Sequence, residues 1–253
     1  MAASGVLNET GTGEIRHITA GTEPIIMHDR SDRRSGPLLS LALIATVLVV
    51  GLAIAAHTPS GAKVPIHFTR DWTADRLVPP LHGLLVWTGL MAVLWVLMAV
   101  LPRLIRARKG GDGFAASLPV YDTLWITLTA TMGILAIASM EYALGNRIVM
   151  GSVSDVLLGA FFVLAGNGLG KLRPNDIIGI RTPWTKNSTW VWNRTHRTCG
   201  PVFILLGMCL IAAGLGVFGL PFTPLFSTAA ILVVAAFSCG LSWFYSRLDP
   251  ETR

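Results

Sequence analysis

Three histidines and two aspartates share one polar stretch, HTPSGAKVPIHFTRDWTADRLVPPLH, which holds His57, His67 and His82 with Asp71 and Asp75. Imidazole and carboxylate are the donors a divalent metal takes, but these intervals match no standard zinc spacing. No metal or cofactor is expected. A second candidate, GNGLGK from Gly166 to Lys171, has the look of a phosphate loop. That loop needs a glycine ahead of four residues and the Gly-Lys pair, then Ser or Thr. Ala165 and Leu172 stand at those places, and the dinucleotide fingerprint would put its last glycine on Lys171. The simpler reading is a helix end, with glycines and Asn167 closing an apolar run. His196, with Lys171 and Arg181, has the residue types for acid–base chemistry beside lipid headgroups. No nucleophile accompanies it, so the chain is read as a non-enzymatic protein. Cys199, Cys209 and Cys239 sit in or beside apolar runs and read as small packers.

One acidic residue lies inside an apolar run. Asp155 shares a helical face with Gly151, Gly159, Phe162 and Gly166. Small residues let another helix approach closely, so Asp155 is placed toward the bundle interior. An ionisable group there is a functional candidate. Its structural alternatives are a hydrogen bond to Thr127, Thr129 or Thr131, or a pairing with Arg147.

These residues need elements to hold them, and composition names the elements. Apolar residues make up 52% of the chain and charged residues 13%, about half the usual charged share; mean hydropathy is +0.60. A spanning helix needs roughly 20 apolar residues. Six runs qualify: Leu38–Ala56, Leu81–Leu101, about Tyr121–Met140, about Ile148–Leu169, Val202–Leu220 and Phe222–Tyr245. Prolines in GLPFTPLF suit a hairpin between the last two. The expected class is an all-α polytopic membrane bundle of about six transmembrane helices. Sixteen of the 20 basic residues fall on one side of this topology; Lys63, Arg70, Arg76 and Arg147 fall on the other. By the positive-inside rule both termini are cytoplasmic. The net charge of +6 then reports topology, and no direct nucleic-acid binding is expected. Residues 1–36 read as a disordered cytoplasmic tail, not a cleaved leader. Residues 37–110 form a two-span unit with an outer loop at 57–80, residues 118–246 a four-span unit, and 247–253 a cytoplasmic tail.

The segment LRPNDIIGIRTPWTKNSTWVWNRTHR, within a cytoplasmic loop at 170–199, is the most polar stretch of the second half. Pro174 and Pro183 fix φ, Asn175 and Asp176 favour turns, and Gly179 permits a conformation closed to side chains. An ordered connector is predicted up to Trp184. From Asn187 or Ser188 a short helix lying on the membrane would put Trp190, Arg194 and Arg197 on one side and Trp192 and His196 on another. It would serve either as an interfacial anchor or as a rigid binding surface.

Read from Gly166, GNGLGKLRPNDIIGIRTPWT followed by VWNRTHR resembles the signature of the SdpI family of membrane proteins. The matching positions include Asn167, Lys171, Pro174, Asn175, Gly179, Arg181, Thr182, Pro183, Trp184, Trp192, His196 and Arg197. Upstream, VPIHF, with Pro65 and His67, resembles a two-span domain that often precedes the signature. Members commonly carry acidic residues where this chain has Thr189 and Trp190. The resemblance implies immunity against a secreted toxic peptide on the outer face and recruitment of a cytoplasmic repressor on the inner face. Lipid is the remaining partner. A small transporter or export-coupled channel, with Asp155 on a hydrated path, is the alternative.

Overall fold

The computed structural model describes residues 34–69, 71–106, 111–146, 148–218 and 224–250. The expected tail up to residue 33, Arg70, Arg147, residues 219–223 of the expected hairpin and the end of the tail at 251–253 lie outside the described residues. Among the described residues, six helices are long and apolar enough to cross a membrane, and the chain is a polytopic helical bundle.

α1 (Ser35–His57) ends where Thr58 turns extended ahead of Pro59. α2 (Pro80–Arg106) and α3 (Gly111–Glu141) carry Pro102 and Pro119 inside them. α4 (Met150–Leu169) follows a 3-10 turn at Tyr142–Leu144 closed by Gly145. A one-turn α5 (Pro183–Asn187) leads into α6 (Thr189–Gly214), and α7 (Pro224–Arg247) is the last. Leu38, Val49, Leu85, Leu97, Leu205 and Val233 are each more than half exposed. Water would penalise such a belt, whereas lipid tails are as apolar as leucine.

Without a hydrophobic drive between helices, small residues and polar contacts set the packing. α1, α2 and α3 form one group around Val47, Met91 and Ala136. At one end Trp95 donates to the Pro37 carbonyl at 2.9 Å and the Tyr121 hydroxyl to that of Met98 at 2.8 Å. α4, α6 and α7 form a second group, in which the α4–α6 contact is the most extensive in the molecule. A Cβ at Gly159 would lie 2.5 Å from the Gly207 carbonyl, and one at Gly166 would lie 2.7 Å from that of Gly200. These helices meet backbone to backbone.

Three expectations are corrected. The loop at 57–80 contains an antiparallel hairpin, β1 (Val64–Phe68) and β2 (Ala74–Val78), with two register shifts. Alternation of Val64, Ile66 and Phe68 carried this signal, but the His and Asp residues between obscure it. α3 starts ten residues before Tyr121, because Pro119 does not stop it. Nor do residues 189–197 form a helix separate from the fifth span. α6 runs without a break from Thr189 through Pro201 and ends at Gly214, short of Leu220.

Candidate functional site

The segment between α4 and α6 folds onto its own two tryptophan and histidine rings. Asn175 closes an Asx turn, its Oδ1 accepting from Ile177 and Ile178 N–H at 2.8 and 2.9 Å while Nδ2 donates to the Arg173 carbonyl. Thr182 caps α5 in a reciprocal box with Thr185, and Pro183 takes the first helical position. The buried Thr185 hydroxyl donates to the Ile180 carbonyl at 2.7 Å. Ser188 then caps α6 by accepting from Val191 N–H.

Inside this loop, Trp192 and His196 are each 1% exposed and stack with ring centroids 4.1 Å apart. Trp192 Nε1–H donates to the Leu172 carbonyl at 3.0 Å. His196 Nδ1–H donates to the Trp192 carbonyl at 2.8 Å and Nε2 accepts from Ile180 N–H at 2.9 Å, which assigns the proton to Nδ1. Both nitrogens serve the backbone, so this geometry leaves His196 no free site for acid–base work. Gly179, at φ 119°, lies against the stack; a Cβ there would be 2.5 Å from His196 Nε2. The loop is also tied to α3, where Ser117 Oγ accepts from Arg173 N–H at 3.0 Å and Ile177 and Ile178 pack on Phe114, Leu118, Tyr121 and Trp125.

What remains outward is charge. Lys171, Arg173, Arg181, Lys186, Arg194 and Arg197 are exposed, and so is Asp176. The Arg181–Asp176 pair is long, 3.5 Å, with both side chains well solvated; such pairs contribute little. The result is a cationic face on a locally fixed backbone. Trp184 is half-buried, Pro174 likewise, and Asn167 is exposed on the last turn of α4. The two sides expected of the 190–197 stretch are real, and they differ in kind. Trp192 and His196 face protein, whereas half-buried Trp190 carries the Arg194 guanidinium 5.4 Å from its ring centre and meets Tyr245 edge-on.

Asp155 is 6% exposed, on the predicted face with Gly151, Gly159, Phe162 and Gly166. Its carboxylate accepts from Ser227 of α7 at 2.7 Å. Of the proposed threonine partners, Thr127 and Thr129 donate instead to carbonyls of their own helix. At the opposite end from the signature segment, Pro65 is buried and its carbonyl accepts from the Ser139 hydroxyl. His67 is exposed and bonds Asp75 at 2.7 Å. That hydrogen bond is the main reason the Asp75 carboxyl is held below its usual range. His57 turns away, to the Ala53 carbonyl.

Sequence reasoning missed Asp122. It lies in a span, 8% exposed, and the Arg34 guanidinium bonds both its oxygens while sitting 5.5 Å from the Tyr121 ring centre and 5.9 Å from that of Trp125. Its isolation in an apolar run was the available signal.

A family model described as the SdpI/YfhL protein family matches residues 171–246. The immunity protein SdpI of Bacillus subtilis (strain 168) is 27% identical over 112 residues, covering 44% of this chain and 53% of that protein. The chain thus spans about half the length of this curated relative. No solved structure matches. The match begins at Lys171 and contains the whole loop that Trp192 and His196 hold in place.

Proposed function

We propose, from the premise that residues 171–246 are an SdpI-family unit, that the chain is a non-enzymatic binding protein of the bacterial inner membrane. It protects the cell against a secreted, membrane-active peptide and reports the bound state to a cytoplasmic regulator. The basic residues orient the bundle with the signature segment in the cytoplasm and the hairpin outside.

One observation carries this reading: the cationic face of the signature segment stands on a backbone held from within by the buried Trp192, His196 and Thr185 side chains. Mere lipid anchoring does not need an Asx turn, a capping box and a stacked Trp–His pair. In this account Pro174, Asn175, Gly179, Thr182, Pro183, Trp192 and His196 shape the surface. Lys171, Arg181 and Arg197, with Trp184 and Asn167 at the margin, meet the regulator. A peptide biases the regulator's site by binding two arrangements of the bundle unequally, and α4, one helix from Asp155 to the loop, carries the difference.

The test is survival of a sensitive bacterium expressing the chain and challenged with its host's secreted peptides, at matched membrane levels. Loss of protection in Arg181→Ala supports the cytoplasmic role, and loss in Asp155→Asn supports an outer one. Arg181→Ala that keeps both protection and partner recruitment would remove the docking role. The transporter alternative places Asp155 on a hydrated path. Its burial, its bond to Ser227 and the close α4–α6 contact fit a packing role better.

A further inference from the structure

We propose that the seam between α6 and α7 holds an anionic phospholipid of the leaflet at the signature-segment end, its phosphate on Arg194 and its acyl chains along the exposed faces of the two helices. The inference rests on the membrane bundle and its exposed charges, and stands apart from the immunity reading.

Both helices build the seam. Arg194, Thr198, Pro201, Leu205 and Met208 recur at helical intervals on one face of α6, and all are exposed. That face is polar where α6 begins and apolar beyond. On α7, Val233, Phe237 and Phe244 likewise share an exposed face. Tyr245 joins the two helices. Its ring meets Trp190 edge-on with centroids 6.0 Å apart and tilts against Phe244 at 5.8 Å. Its hydroxyl bonds that of Thr198 at 2.9 Å. One hydroxyl of the pair donates to the other, and the recipient keeps its own hydrogen to give. The Arg194 guanidinium lies 5.4 Å from the Trp190 ring centre, a contact that steadies it one turn from Thr198.

Depth and charge select the occupant. From Thr198 to Met208 α6 rises about 15 Å at about 1.5 Å per residue, half of a hydrocarbon core that is about 30 Å thick. The apolar part of the face thus matches the acyl chains of one leaflet, and Arg194 and Thr198 come level with its phosphates. Arginine suits a phosphate because its planar fork donates two hydrogen bonds at once. The neighbours decide the headgroup charge. Lys171, Arg173, Lys186, Arg197 and Arg247 are exposed cations of this end, and among the described residues Asp176 is their exposed acidic counterpart. The ammonium of a zwitterionic headgroup would enter a field of like charge, whereas an anionic headgroup brings no cation. An acidic protein segment would reach Arg194 from the water but leave the apolar face beneath it uncovered. A lipid satisfies both.

The experiment uses the full chain in maltoside micelles, with bound lipid counted by native mass spectrometry. The probes are dioleoyl phosphatidylglycerol and dioleoyl phosphatidylcholine at matched concentration. The wild type should retain phosphatidylglycerol in preference to phosphatidylcholine. Arg194→Gln, at an exposed position, should lower that retention about tenfold with unchanged detergent chromatography. Thr198→Val combined with Tyr245→Phe removes both hydroxyls and keeps the ring, and should lower it about threefold. Arg173→Gln removes an exposed cation on the α3 side of the same end and should leave it unchanged. Equal retention of the two lipids by the wild type, or a preference that Arg194→Gln leaves intact, overturns the proposal. So does an equal loss in Arg173→Gln, which would mean general attraction to the cationic end and no site. Two competitors test the source of the anion. Excess inorganic phosphate and an oligoglutamate peptide should both leave the lipid in place. Displacement by phosphate would make the seam a bare anion site, and displacement by the peptide would assign it to an acidic protein; either result overturns the lipid.

Discussion

The two ends of the bundle solve the same problem differently. Each must carry a polar connector between spans. At the hairpin end, β1 and β2 pair with two register shifts, and the His67–Asp75 contact is well exposed, with side chains 64% and 43% accessible. Lys63, Arg70 and Arg76 are offset there by Asp71 and Asp75, so little charge of one sign accumulates. At the signature end the backbone is fixed by buried side chains: Trp192 holds Leu172, His196 holds Ile180, Thr185 holds Ile180 from the other side and Ser117 holds Arg173. Charge there is almost all positive and almost all outside. Where shape is fixed from within and charge is left solvated outside, the charge is free to serve recognition. The hairpin end spends its polar groups on itself.

This contrast predicts an order of sensitivity, and the largest effect belongs to the helix pair beneath the signature segment. Gly207→Leu forces side-chain atoms into the α4 backbone, since even a Cβ would lie 2.5 Å from the Gly159 carbonyl. A cost at or above about 3 kcal/mol is expected, seen as loss of the monodisperse species in detergent chromatography. Unchanged chromatography would mean that α4 and α6 are not in backbone contact. Next comes Trp192→Ala, which removes a buried ring together with the Leu172 bond and should cost about 3–5 kcal/mol. Trp192→Phe keeps most of the ring and should cost about 1 kcal/mol. The gap between the two, measured by thermal unfolding in detergent, separates packing from hydrogen bonding.

Gly179→Ala strains a residue at φ 119° and pushes on His196 Nε2. A penalty of about 1–3 kcal/mol is expected, with faster amide exchange at Ile180; slow exchange there would contradict the proposed bond. The smallest effect lies at the hairpin. The Asp75 carboxyl is lowered in the folded chain, chiefly by the bond from His67. A depressed carboxyl contributes its stability above its unfolded value, near 3.8, and loses it as pH falls through the lowered one. Amide exchange in β1 and β2, taken relative to the unstructured rate at each pH, should therefore hold steady from neutral pH into mild acid and rise only below the ordinary carboxylate range. An earlier rise would show that another group governs the hairpin.

Spans were legible because length and apolarity suffice for them, and so was the buried face of α4, which glycine spacing marks. The start of α3 and the continuity of α6 were not. The expected spans opened at about Tyr121 and at Val202, whereas the described helices begin earlier and run on through Pro119 and Pro201. The hairpin was hidden because its strands are short and their alternation is interrupted by residues that suggest metal chemistry. For the signature segment, turn formers and rigid residues announced an ordered connector. Nothing local could say that Trp192 and His196 face inward while Trp190 faces out, since helical spacing separates the two sides without telling which one meets protein. The Ser227 partner of Asp155 lies 72 positions away, and the sequence around Asp155 pointed instead to nearer hydroxyls.

On the proposed function, the cations of the signature segment act in recognition and do not hold the fold. This is tested most directly on Arg181→Ala, by measuring thermal stability in detergent and protection of a sensitive strain on the same preparation of membranes. A stability change within about 0.5 kcal/mol together with loss of protection is expected. A large fall in stability, or protection equal to that of the wild type, would contradict it.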